Sequence, residues 1–287
     1  MENHAGDLSS EIHQSILEEL EDAAREGDND KIYILIRKDP YLLDRIDAIS
    51  FVDTPMHISA SYDNASFTME MMRLKPSFAR KQNPDGFTPM HLALKNWRTR
   101  ILHRLIEADT QLVRVKGKEG RTLLHCAVER DDQSRSIDII NYVLLACPQA
   151  IEDVTIYQDN VLHIAVKRGK YDVFQWLVKW ILNNWESSQE LKKQILNGKN
   201  GEGNTVLHIA ALKNAPEIVE ALIKCGIDAN TKNLKGETAL DISKRQDYSL
   251  LNGNSEVRSM LSMVTNAYSS SESTENQMML MMIMMKI

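Results

Sequence analysis

The sequence predicts an all-α repeat solenoid of about seven helix–turn–helix units with β-turn fingers between them. The first and last units are degenerate caps. Three observations carry this. One block, Asn83-Pro84-Asp85-Gly86-Phe87-Thr88-Pro89-Met90-His91-Leu92-Ala93-Leu94, recurs in eroded copies along most of the chain. The copies keep a nearly constant spacing. Each is followed by an apolar stripe of helical period, here Ile101, Leu102, Leu105 and Ile106.

The block specifies its own local structure. Asp85-Gly86 is a turn signal, because glycine takes a positive φ at no steric cost. Thr88 suits an N-cap, its hydroxyl accepting an orphan N–H of the first turn. Pro89 then falls at the first helical position, where a missing N–H costs nothing. With His91 as phase marker, the copies fall in register. His57, His91 and His125 follow one another at 34 residues, His163 after 38 and His208 after 45. Thr238-Ala239-Leu240-Asp241 comes 33 further on with Asp in the His place, and Leu20-Glu21-Asp22-Ala23-Ala24 fits the same phase at the front.

In chain order, residues 1–14 are polar and read as a flexible N-terminus, residues 15–265 as the solenoid, and residues 266–287 as a tail. The first unit carries Ile32, Leu35 and Ile36 on one face of its second helix, and its acidic outer surface reads as a solubilising cap. In the second unit the second helix ends before Pro76. The fourth holds an insertion, Asp131 to Ser136, expected between its two helices. The fifth is the longest. Tyr171 to Trp185 reads as an extended second helix, and Gln189 to Leu196 as an additional one. The sixth is the most regular, with Pro216 opening its second helix and Gly226 closing it. The seventh ends in a helix expected at about 255–264. Beyond it lie a Ser-rich spacer and the run Met278 to Met285, too short to span a bilayer.

Composition narrows the function classes. Thirty-four basic residues stand against 40 acidic ones, so general nucleic-acid binding is not expected. Cys126, Cys147 and Cys225 show no disulfide or metal-ligand spacing and read as small buried hydrophobes in a reducing compartment. The N-terminus has no apolar core of a signal peptide, so the expected location is cytoplasmic, possible also at the cytosolic face of a membrane.

A period near 33 with Thr-Pro-Leu-His-x-Ala resembles the ankyrin repeat, a β-turn followed by two antiparallel helices. Segments after the second helices sharpen the likeness: Asp39-Pro40-Tyr41-Leu42-Leu43, Lys75-Pro76-Ser77-Phe78-Ala79 and Cys147-Pro148-Gln149-Ala150-Ile151. With these and the Arg121 to Val128 copy, residues 12–265 resemble the plant ankyrin–transmembrane family, which carries a Pro-Gly-Gly domain and includes regulators of cell death and innate immunity. In that family a bundle of membrane helices follows the repeats. This sequence shows neither bundle nor signature, and ends in the Met-rich run. The resemblance implies a protein-interaction scaffold or regulator in plant defence or stress signalling. Its alternative is a membrane-associated regulator, of which this sequence is a truncated or spliced form. The Met-rich run reads equally as a low-complexity end from an altered reading frame.

No catalytic constellation is legible, and neither a cofactor nor a metal is expected. His57, His91, His125, His163 and His208 share one helical phase and read as rungs that tie neighbouring repeats together. The Lys199 to Asn204 stretch is glycine-rich but lacks phosphate-loop spacing. The surface remains. In ankyrin folds the fingers and first helices form a concave groove. Its expected partner-binding residues here are Tyr62, Phe87, Lys95, Asn96, Trp97, Arg121, Arg130, Tyr157, Lys167, Arg168 and Lys213. Arg130, Lys167, Arg168 and Lys213 fall on successive units and suggest a locally basic groove. Trp97 stands where the repeat usually has glycine. A protein partner is expected, and no residue pattern sets an oligomeric state.

Overall fold

The caps decide where helices begin. In a computed structural model, described over residues 2–184, 189–249 and 256–269, every regular element is helical. The chain opens with α1 (Glu2–Glu26), α2 (Asn29–Lys38), α3 (Leu42–Ala48), α4 (Pro55–Ser61) and α5 (Ala65–Leu74). It continues through α6 (Pro89–Lys95), α7 (Thr99–Ala108), α8 (Leu123–Val128), α9 (Gln133–Ala146) and α10 (Val161–Lys167). It ends with α11 (Tyr171–Asn184), α12 (Gln189–Leu196), α13 (Val206–Leu212), α14 (Pro216–Lys224), α15 (Ala239–Ser249) and α16 (Glu256–Ser269). The fold is an all-α repeat solenoid.

Contacts separate two compact units, residues 1–126 with 141–150 and residues 127–140 with 151–287. In the first unit α1, α4 and α6 stack as a layer of first helices, and α5 and α7 pack as second helices behind them. Phe67, Met71, Met56, Met90 and Leu102 fill the space between the layers. In the second unit α10, α13 and α15 form the first layer and α11, α14 and α16 the second. Phe174, Leu177, Leu207, Ile218, Leu222 and Leu261 are buried there. A first helix of six or seven residues is too short to persist alone, so its stability comes from these neighbours.

The segments after the second helices form a third, small element. Pro76–Arg80, Thr110–Arg114 and Pro148–Glu152 are 3-10 turns, and α3 holds the same place in the first repeat. Each buries an apolar pair: Leu42 and Leu43, Phe78 and Ala79, Leu112 and Val113, Ala150 and Ile151. The family-like motifs are thus core-forming plugs.

Three boundaries differ from expectation. The 131–136 insertion is not a loop between helices. α9 begins at Gln133, so most of the insertion winds into an additional helical turn started by Asp132, whose Oδ1 accepts from Arg135 N at 3.1 Å. Helix α16 runs on to Ser269, past the expected start of the tail. Helix α1 is drawn from Glu2, through the segment read as flexible. Trp185 and residues 270–287, with the Met-rich run, lie outside the described residues.

Leu207 on α13 is 1% exposed. Leu207→Ala should destabilise the protein by about 2–5 kcal/mol, as core truncations do. Urea unfolding followed by circular dichroism measures it.

Candidate functional site

Five first helices, α4, α6, α8, α10 and α13, start with a capped histidine. In α4 the Nδ1 of His57 lies 2.8 Å from the Thr54 hydroxyl and accepts the Thr54 backbone N–H at 3.1 Å. Thr88 with His91, Thr122 with His125 and Thr205 with His208 repeat the arrangement. In α10 the cap is Asn160, whose side-chain oxygen is an acceptor and lies 2.6 Å from His163 Nδ1. In the threonine-capped rings Nδ1 accepts, so the proton sits on Nε2. That N–H donates to a carbonyl of the next repeat: His57 to Phe87 at 3.0 Å, His91 to Arg121 at 3.2 Å and His208 to Glu237 at 3.1 Å; His163 Nε2 lies 3.1 Å from the Asn204 carbonyl in the same way. At the end of the series Asp241 caps with Thr238 through its Oδ2, and a carboxylate has no N–H to extend the ladder.

A second rung runs the opposite way, and the sequence reading missed it. Asn83, Asn200 and Asn233 open their fingers, each side-chain oxygen accepting backbone N–H groups of its own turn. Their Nδ2 groups reach back to the residue before the preceding N-cap: Asn83 to Asp53 at 2.9 Å, Asn200 to Asp159 at 3.0 Å and Asn233 to Asn204 at 2.9 Å. A third link joins the residues just before the fingers, Gln82 to the Lys116 carbonyl and Lys199 to the Lys232 carbonyl. Gly117 takes the asparagine place in one finger. A Cβ there would stand 2.9 Å from Cε1 of His91, so the buried ring excludes a side chain. Asn160 caps α10 where the other repeats use Thr. Its amide donates to the Ile195 carbonyl at 2.9 Å and so holds α12, the helix added in this repeat.

First helices close in a common way. The carbonyls of Ala23, Ser59, Ala93, Ala165 and Ala210 each accept an N–H five residues ahead, the pattern of a Schellman turn. The residue before that donor has positive φ: Gly27, Asp63, Trp97, Gly169 and Asn214. Four of these suit the left-handed region. Trp97, at φ 56°, does not, and a bulky side chain there carries strain of about 1–2 kcal/mol.

The residues expected to bind a partner lie in both units. In the first, Tyr62, Lys95 and Asn96 are exposed, and Phe87 and Trp97 are half-buried. The Lys95 ammonium stands over the Phe87 ring, 5.1 Å from its centroid. Arg121 pairs with Glu119 at 2.8 Å. In the second unit Tyr157 and Lys213 are exposed and Arg130 is half-buried. Two of the four cations expected to make the groove basic, Lys167 and Arg168, are paired with acids. The Lys167 ammonium is held by both oxygens of the buried Asp159, at 2.6 and 2.7 Å. Arg168 Nε donates to Glu129 at 2.8 Å. Lys170, a further cation of this turn, pairs with Asp131 at 2.9 Å. Acids that lie 8 or 39 residues away in sequence neutralise this face.

Comparison with known proteins decides what the ladder belongs to. Residues 191–243 match the ankyrin-repeat family, described as "Ankyrin repeats (many copies)". These are ankyrin repeats. The ankyrin repeat-containing protein BDA1 of Arabidopsis thaliana is 35% identical over 217 residues, 75% of this chain and 50% of that protein. A transient receptor potential cation channel subfamily A member 1 homolog of Caenorhabditis elegans is 30% identical over 196 residues, 68% of this chain and 15% of that protein. The chain therefore spans half the length of the first relative and far less of the second. An ankyrin repeat domain from Acinetobacter baumannii superposes with a TM-score of 0.55 at 21% identity, covering 72% of this chain and 95% of the other. This last likeness concerns the fold alone.

The ankyrin ladder uses its histidines as structural rungs. Both ring nitrogens of His57, His91, His163 and His208 are occupied. Burial pushes the Cys225 thiol up to about 11, away from the reactive thiolate. Among the described residues no group of His, Cys, Asp and Glu is arranged to hold a metal ion.

Burial likewise pushes His57, His91 and His163 down from 6.5 to about 4, and lowers His208. Their folded pKa values lie below the unfolded one, so the unfolded chain binds protons first. Their contribution to stability is fully present above pH 6.5 and is lost as the pH falls toward about 4. Urea midpoints should fall across that interval, and the ring protons of these histidines should not titrate in NMR spectra until below pH 5. Titration near 6.5 in the folded protein contradicts the ladder.

Proposed function

We propose that this chain is a non-catalytic protein-binding module, a scaffold or regulator acting in plant defence or stress signalling. The supporting observation is a division of labour inside each ankyrin repeat. The capped histidine, the finger residue beneath it and the small residue closing the helix recur and face inward. The residues five beyond each marker are Tyr62, Asn96, Arg130, Arg168 and Lys213, and they differ from repeat to repeat. Four of them are exposed. A constant scaffold that displays varied side chains suits recognition of a protein surface. Among the residues expected on this face, Tyr62 and Tyr157 offer exposed aromatic anchors, at 58% and 55% exposure.

The setting rests on the sequence likeness to the plant family and on the Arabidopsis thaliana relative. The alternative, a membrane-associated regulator, draws on that family resemblance. Among the described residues no helix is long and apolar enough to cross a membrane.

The test uses the chain as bait in a plant extract, with captured proteins identified by mass spectrometry. A variant carrying Tyr62→Ala, Tyr157→Ala and Lys213→Glu should melt like the parent and lose most of its specific partners. Retention of all of them would place binding elsewhere. Lys167 and Arg168 make poor probes, because reversing them strands Asp159 and Glu129 without their cations.

A further inference from the structure

The second unit places three fingers side by side: residues 155–159, 200–204 and 233–237. Backbone bonds join them. Gly201 N donates to the Tyr157 carbonyl at 2.7 Å, and Leu234 N donates to the Glu202 carbonyl at 3.1 Å. The middle finger is stripped of side chains at two positions, and contact demands it. A Cβ on Gly201 would lie 3.0 Å from the Tyr157 carbonyl oxygen, and one on Gly203 would lie 2.7 Å from Leu234 N.

The outer fingers carry large apolar residues instead. Leu234 is 79% exposed, the highest of the large apolar residues described, and Tyr157 flanks the other side. These two side chains stand either side of bare backbone. Exposed apolar groups arranged this way lose free energy when covered.

Three unpaired lysines stand around them. Lys199, Lys232 and Lys235 are exposed, and among the described residues none makes an ion pair. Lys199 spends one N–H on the Lys232 carbonyl and keeps its charge. Of the carboxylates in these fingers, Asp159 is paired with Lys167 and Glu237 with Arg245, while Glu202 accepts from the Asn204 amide at 2.8 Å. In a chain of net charge −6, this edge is apolar and positive.

We propose, building on the protein-binding reading, that this finger row receives an acidic peptide segment bearing large apolar side chains. An apolar side chain sits between Tyr157 and Leu234 over Gly201. The segment's carboxylates meet Lys199, Lys232 and Lys235. Complementary charge sets orientation and encounter rate, and the apolar contact slows dissociation.

The probe is a short fluorescent peptide of repeating Glu-Glu-Leu, with Lys-Lys-Leu and Glu-Glu-Ser peptides as controls. Fluorescence anisotropy should show the first binding the full chain at least about tenfold more tightly than either control, since a tenfold change corresponds to about 1.4 kcal/mol. The double variant Lys232→Glu, Lys235→Glu and the single variant Leu234→Ser should each weaken it by a similar factor. Both alter exposed side chains, so melting curves should match the parent. Added salt should weaken the complex. Equal binding of the Lys-Lys-Leu peptide, no binding at all, or indifference to both variants overturns the proposal. If those variants still capture partners from the extract, the acidic chemistry fails alone and the protein-binding reading stands.

Discussion

The stack depends on an imidazole that carries no charge. One nitrogen must accept from the cap of its own helix, and the other must donate to the carbonyl that ends the next finger. A protonated ring would turn two donors outward and set one against the Thr N–H. Burial keeps the ring neutral, and the ring's two bonds fix the offset between consecutive repeats. The finger asparagines answer with a bond in the opposite direction. Where both are present, two opposed bonds resist sliding in both directions, which a single bond would not; at the His91 rung, where Gly117 replaces the asparagine, the imidazole bond stands alone of the two. Length can therefore vary only where neither bond is displaced. The two long repeats obey this, with a lengthened α9 in one and α12 added after the second helix in the other.

Most of the fold is written in residues with narrow local meaning. Thr-Pro before His can be little else than a cap, a first turn and a polar ring facing inward, and repetition at one spacing makes it a stack. The finger asparagines were equally visible, yet an Asn at the head of a turn reads as a turn residue on its own terms. Its second duty, reaching Asp53, Asp159 or Asn204, requires the neighbouring repeat to be in place. The insertion at Asp131 was misjudged for a related reason. Its polar composition suits a loop, and only the Asp132 cap lets it continue into α9.

The candidate surface was legible by position and less so by charge. Phase alone placed Tyr62, Asn96 and Lys213 on the outside. It could not foresee that Lys167 would be spent on Asp159, or Arg168 on Glu129. Such pairs join residues that only the stacked repeats bring together. A buried carboxylate such as Asp159 needs its cation more than a solvated surface needs one, so structure takes precedence over display. Charge that survives for recognition is the charge left after the interfaces have been satisfied.

Trp97 shows the same precedence from the opposite side. It sits in a backbone conformation that its counterparts meet with glycine, aspartate or asparagine. In genetic terms the remedy is as near as it can be, since the tryptophan codon TGG becomes the glycine codon GGG by one base change. A lineage carrying this gene meets that substitution repeatedly, as a single-step variant with a relaxed turn. One base therefore separates the strained turn from a relaxed one.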